Sequence, residues 1–258
     1  MHTRILALHG FGGTFGGKLG LDPLDALREG LAALHISATI IAPKAPNRTT
    51  DGKGVAWLAG DQSPLGKVVG FSIKDAILQA EGTCAATPKP LSEAELPPLT
   101  PADNVWTGSI GVETSLEALE QEWVSGQFDG ILGFSQGAMT AAMFCAHLEQ
   151  TRQDLQQPRY VVLCAGFMRP WPAEVSSWWP PRTKLLTPSL HAIGSRDTVV
   201  ATCRSLELRD LFLQPATRFH DLIGYPTYDG GHLVPWAGLD GDDAFFEQLA
   251  ALITRSHA

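Results

Sequence analysis

Apolar residues fall along the chain in two rhythms: short continuous runs bounded by turn residues, and longer stretches repeating every three or four positions. The run RILAL, Arg4 to Leu8, ends at His9-Gly10 and predicts a buried strand. Asp22-Pro23 then offers a helix N-cap followed by a proline at the first helical position, with Leu24, Leu27, Leu31 and Leu34 at helical spacing. ATIIAP, Ala38 to Pro43, reads as a second buried strand. Apolar strands alternating with helices are the signature of a parallel sheet covered on both faces.

The rhythm breaks between about residues 43 and 106, where prolines, glycines and polar residues dominate without sustained period. A structureless connection of that length is unusual inside a compact domain. It is therefore expected to carry short elements and a lid-like insertion. Periodicity resumes at Thr114 to Gly126, where Thr114 and Glu117 have capping-box spacing and Leu116, Leu119 and Trp123 share a face. FDGILGF predicts a strand and SQGAMTAAMFCAHLEQ a helix. Arg159 to Gly166 and Ser189 to Gly194 predict further strands, and Thr202 to Leu213 a helix. A short strand is expected before Gly230, then a helix over Asp242 to Thr254 with Phe245, Leu249 and Leu252 inward. The expectation is one α/β domain over 1–258, a mostly parallel, doubly wound sheet with helices on both faces.

Composition narrows the function classes. A net charge of −8 over 258 residues argues against nucleic acid, whose phosphates require a basic patch. No apolar run approaches the roughly 20 residues of a membrane helix. The N-terminus lacks the long hydrophobic region of a signal peptide, so a cytoplasmic location is expected. Cys84, Cys145, Cys164 and Cys203 are too widely spaced for a metal site or disulfide framework. The glycines of HGFGGTFGG do not form a dinucleotide fingerprint, and no cofactor is expected.

Candidate chemistry centres on Gly133-Phe134-Ser135-Gln136-Gly137, a G-x-S-x-G sequence between predicted strand and helix. Glycines on both sides of the serine suit a sharp strand-to-helix turn that thrusts a hydroxyl above the sheet. A near copy, VVGFSIK, places Lys74 where the second glycine would stand, so Ser72 reads as a surface or lid residue. A serine hydroxyl needs a base, and the base needs an orienting acid. In nucleophile, acid, base order, Asp197 follows the strand Ser189 to Ile193 and His232 lies in the glycine-rich YDGGHLVP. Asp210, Asp221 and Asp229 are rival acids, less well placed by the pattern. The backbone N–H groups of Phe11, in LHGFGG, and of Gln136 are candidate oxyanion donors, with His9 shaping the turn. Phe167, Trp171, Trp178, Trp179 and Trp236 are candidates for an apolar substrate pocket; the alternative is an accessory core or dimer contact.

RILALHGFGG, FDGILGFSQGAMTAAM, GSRDTVV and DGGHLVP together resemble the FSH-type serine hydrolases, a family of α/β-hydrolases. The resemblance covers most of the chain except the 43 to 106 insertion, and its most specific part is FDGILGFSQGA. It implies an α/β-hydrolase fold and hydrolysis of carboxylic esters or thioesters, some members releasing acyl chains from carrier proteins. Carried over by motif, the triad falls on Ser135, Asp197 and His232. The expected substrate is a small-molecule ester or thioester of small to medium acyl size, free or carrier-bound. Acyl transfer by the same triad and non-catalytic ligand reception are the competing functions. Nothing in the sequence sets the oligomeric state.

Overall fold

Strand β1, His2–Leu8, is buried on both faces, as a central parallel strand must be. In a computed structural model of the chain, the residues described are 1–13, 15, 23–49, 54–58, 111–168, 179–194, 197, 199–200, 202–220, 232–236 and 243–257. After β1 come α1 (Pro23–Ala33), β2 (Ser37–Ile41) and a short antiparallel pair, β3 (Asn47–Arg48) with β4 (Val55–Ala56). Then follow α2 (Val112–Gly126), β5 (Gly130–Phe134), α3 (Gln136–Thr151) and β6 (Tyr160–Cys164). β7 (Ser189–Gly194), α4 (Thr202–Arg209), β8 (Pro215–His220) and α5 (Asp243–Ser256) complete the described elements.

The main sheet has strand order β2-β1-β5-β6-β7-β8, and every neighbouring pair is parallel. Strand order therefore reverses between β1 and β5, where the chain builds outward in both directions. Such a reversal opens a crevice beyond the carboxyl ends of the two strands, a place where α/β sheets gather ligands.

Alternation along the strands divides the core in two. Leu6, Leu8, Ile131, Val161 and Leu163 face α2 and α3, packing with Leu119, Trp123, Met139 and Phe144. Ile5, Ala7, Leu132, Val162 and Cys164 face the other way, against Leu24, Leu27 and Leu31 of α1 and Phe245, Leu249 and Leu252 of α5. Helix α3 is nearly all buried, and its alanines let it sit close to the strands.

The helix ends depart from the sequence pattern in three places. Leu34 continues the leucine spacing but is exposed, because α1 stops at Ala33 and His35 turns into the left-handed region at φ 60°. Ile36, buried, takes the inward place instead. Thr114 does not cap α2: the helix begins at Val112, with Gly111 in the N-cap position at φ 85° and no side-chain cap. Asn47 explains that start, donating from Nδ2 to the Gly111 carbonyl at 3.1 Å. A Cβ on residue 111 would lie 2.4 Å from the same amide nitrogen. Helix α4 ends at Arg209 rather than Leu213, because Leu185 draws the following residues into strand-like pairing through Leu185 N–H to Leu211 O and Leu213 N–H to Leu185 O. Asp22 and most of the insertion, residues 50–53 and 59–110, lie outside the described residues.

Candidate active site

The turn from β5 into α3 is tight enough to dictate its own sequence. Ser135 stands at φ 54°, ψ −119°, a region that costs a non-glycine residue about 1–3 kcal/mol. Both neighbouring elements hold it there. The Ser135 N–H extends the sheet to the Cys164 carbonyl at 2.9 Å, and its carbonyl accepts from Ala138 and Met139 N–H as α3 begins. A Cβ on Gly133 would meet the Ala138 Cα and the Gly137 carbonyl oxygen at 2.5 Å. A Cβ on Gly137 would meet the Leu8 carbonyl oxygen at 2.2 Å and the His9 carbonyl oxygen at 2.5 Å. These obstacles are backbone and cannot move aside, which is the physical reason for glycine at both positions.

The structure brings together three of the residues singled out by position. His232 Nε2 lies 3.0 Å from Ser135 Oγ, and His232 Nδ1 lies 2.8 Å from Asp197 Oδ2. The other carboxylate oxygen, Oδ1, accepts the N–H groups of Val199 and Val200, each at 2.8 Å. A carboxylate only accepts, so the imidazole proton belongs on Nδ1 and the Nε2 lone pair faces the serine hydroxyl. The Phe134 ring supports the imidazole at 5.0 Å between centroids. Ser135 and Asp197 are both buried, at 8% and 7% exposure. Among the rival acids, Asp210 engages Arg209 at the end of α4, while Asp221 and Asp229 lie outside the described residues, as does Ser72.

The two candidate oxyanion donors flank the strand reversal. Gln136 opens α3, and the first N–H groups of a helix have no acceptor within it. Phe11 lies in the turn after β1, with its side chain half exposed. His9 is buried; its Nδ1 pairs with the Gly10 carbonyl at 2.8 Å and its Nε2 accepts the Ala45 N–H at 3.1 Å. Both partners have fixed polarity, which makes the ring neutral, and burial pushes its pKa down in the same sense.

Two contributions to this corner escape a reading of the sequence. The Gln136 side chain bridges across to the β4 segment, its Oε1 accepting the Trp57 N–H at 2.9 Å and its Nε2 donating to the Leu58 carbonyl at 3.2 Å. Trp57 in turn donates from its indole to the His9 carbonyl at 2.9 Å. The only available signal was a lone Trp-Leu pair in an irregular stretch.

The aromatic pocket candidates are described in part. Trp179 is fully buried and packs with Phe167 in the core on the α2–α3 side. Trp236 belongs to the opposite core, its indole donating to the Pro23 carbonyl at 2.6 Å and its ring 5.2 Å from that of Phe245. All three are buried among apolar side chains. Trp171 and Trp178 lie outside the described residues. Cys145 and Cys164 are free and buried, and burial drives both thiols up.

Comparison with known proteins identifies a family. A family model described as serine hydrolase (FSH1) matches residues 1–239. Esterase OVCA2 of Bos taurus is 36% identical over 133 residues, 51% of this chain and 54% of that protein, so the chain spans about half of that relative. Esterase OVCA2 of Mus musculus is 30% identical over 186 residues, 62% of this chain and 77% of that protein. Among solved structures, acyl-protein thioesterase 2 of Zea mays superposes with a TM-score of 0.53 at 17% identity, over 99% of this chain and 94% of that one. At that identity the superposition speaks for the fold, an α/β-hydrolase fold with a mostly parallel sheet flanked by helices. With its family model matched across nearly the whole length, the chain belongs to the serine hydrolase (FSH1) family.

Proposed function

We propose that the chain is an esterase or thioesterase that works through an acyl-enzyme on Ser135. The observation that carries the proposal is the hydrogen-bonded series Ser135, His232, Asp197, at 3.0 and 2.8 Å, set on a strained elbow. Ser135 Oγ attacks the acyl carbon while His232 Nε2 takes its proton. Asp197 holds the tautomer and stabilises the imidazolium. Charge gathers on the acyl oxygen between the N–H groups of Phe11 and Gln136, where losing one donor typically costs about 3 kcal/mol. His232 then protonates the departing alcohol or thiol. A water molecule, deprotonated by the same nitrogen, attacks the acyl-enzyme and releases the acid and free Ser135. Every proton has a donor and an acceptor among these groups, so the cycle needs no cofactor.

The expected substrate is an ester or thioester of small to medium acyl size, free or on a carrier. The names of the curated relatives, esterases, support this class. No helix among the described residues is long and apolar enough to cross a membrane. A cytoplasmic location belongs to the same proposal and rests on the unpaired, buried thiols of Cys145 and Cys164.

The test is labelling with a fluorophosphonate, alongside turnover of acyl esters and thioesters of graded chain length. Wild type should label and turn over, and Ser135→Ala should do neither. Labelling that persists in Ser135→Ala would place the nucleophile elsewhere, and labelling without turnover of any ester or thioester would count against hydrolysis.

A further inference from the structure

We propose that Trp57 is a positioning residue that couples the two oxyanion donors, an inference that rests on the serine hydrolase reading above.

The argument starts from the peptide joining Gly10 and Phe11. A trans peptide is planar, with its C=O and N–H on opposite edges, so fixing one direction fixes the other. The Gly10 carbonyl accepts from His9 Nδ1 at 2.8 Å and from the Gly13 N–H at 3.2 Å. The Phe11 N–H is thereby turned away from both. That setting holds only while the turn itself is held.

The segment around β4 braces the turn at three points. The Gly12 N–H donates to the Val55 carbonyl at 3.0 Å. The Trp57 indole N–H donates to the His9 carbonyl at 2.9 Å. The Trp57 ring lies against the His9 ring, with centroids 5.1 Å apart. Trp57 is itself fixed on every polar edge. Its N–H goes to Gln136 Oε1 at 2.9 Å, and its carbonyl accepts from Asn47 Nδ2 at 3.0 Å and from the Ser115 hydroxyl. At 1% exposure no water competes for these bonds.

Gln136 thus does two things. Its backbone N–H is one oxyanion donor, and its side chain grips the residue that braces the turn carrying the other. The spacing of the donors is set through Gln136 and Trp57. Oxyanion donors work only when aimed beforehand at the charge that develops, and a site loosened by roughly 0.5–1 Å loses much of its rate. A bracket of this kind should act on the transition state and leave substrate affinity nearly untouched.

Trp57→Phe keeps a ring against His9 and removes the indole N–H together with part of the ring volume. We expect kcat, normalised to fluorophosphonate-titrated sites, to fall about ten- to a hundredfold with KM within about threefold. A trifluoromethyl ketone, whose serine adduct carries an oxyanion, should bind more weakly by the factor lost in kcat/KM. Gln136→Met removes the side-chain bonds to Trp57 and Leu58 but keeps the backbone N–H, and should show the same split; it carries the test if Trp57→Phe does not fold. Because both variants loosen one bracket, the double variant should lose little more than the worse single one. A folded variant with wild-type kcat per titrated site, or with ketone affinity unmoved, overturns the inference while leaving the triad standing. Labelling that survives Ser135→Ala overturns the reading beneath it as well.

Discussion

Replacing Asp197 by asparagine tests the polarity of the site with almost no change of shape. Two backbone N–H groups, from Val199 and Val200, point at Oδ1 at 2.8 Å. They require an acceptor there, so asparagine must seat its carbonyl oxygen at Oδ1 and its NH₂ where Oδ2 now meets His232 Nδ1 at 2.8 Å. An NH₂ donates, which forces Nδ1 to accept and shifts the imidazole proton to Nε2. That nitrogen faces Ser135 Oγ at 3.0 Å, and it would then donate to the hydroxyl rather than take its proton. The enzyme keeps its geometry and loses its base. The loss expected from a wrong tautomer is about 10⁴ in kcat, about 5–6 kcal/mol of barrier. Stability should barely move, because the two backbone bonds survive. The measurement is kcat/KM on an ester substrate together with a thermal melt. A variant that melts like wild type and retains more than a tenth of its kcat/KM would refute the tautomer argument.

Two further outcomes follow from packing and protonation. Gly137→Ala sets helix propensity, about 1 kcal/mol in favour of alanine, against a methyl group 2.2 Å from a strand carbonyl oxygen, an overpacking cost of about 3 kcal/mol. The clash should win by about 2 kcal/mol, lowering Tm by about 4–8 °C and lowering activity with it; a Tm at or above wild type would show that the elbow is not tight. His191, buried in β7 beside Ser189 Oγ, has its pKa pushed down to about 3, chiefly by burial and secondarily by Arg209. The folded state keeps this ring neutral while the unfolded chain protonates it below the ordinary histidine value. Stability should therefore be unaffected above pH 6.5 and fall by about 1.4 kcal/mol per unit as pH drops from 6.5 toward 3. In denaturant titrations from pH 6 to 4, His191→Gln should have a shallower acid slope than wild type, and equal slopes would contradict this assignment.

What the sequence discloses depends on how local the constraint is. The strands β1, β5, β6 and β7 are legible because each is an apolar run closed by turn residues. Ser135 is legible because the close approaches at Gly133 and Gly137 impose a pattern within five residues. Asp197 and His232 are singled out by order, each soon after an expected strand, although 35 residues separate them. Local pattern misleads where tertiary contact decides. The Thr114 and Glu117 spacing fits a capping box, yet the start of α2 is set by Asn47, 64 residues before Gly111. The aromatics Phe167, Trp179 and Trp236 carry no mark that distinguishes a pocket wall from a core plug. Trp57 is the extreme case, since its partners His9 and Gln136 are 48 and 79 residues away and leave no period to read.

The same long-range bonds join the chain on either side of the residues between Leu58 and Gly111. The insertion leaves the described structure after Leu58 and returns at Gly111. Asn47 Nδ2 donates to the carbonyls of Trp57 and Gly111, at 3.0 and 3.1 Å, and the Ser115 hydroxyl joins them through the Trp57 carbonyl. The two ends are thereby tied at one point on the scaffold. Once a loop's ends are fixed together, the entropy of closing it grows only slowly with its length. Trp57, whose carbonyl is part of that knot, is also the residue proposed to brace the turn at Phe11. Ser135 is held independently of that knot, by its N–H bond to the Cys164 carbonyl and by the start of α3 at its own carbonyl.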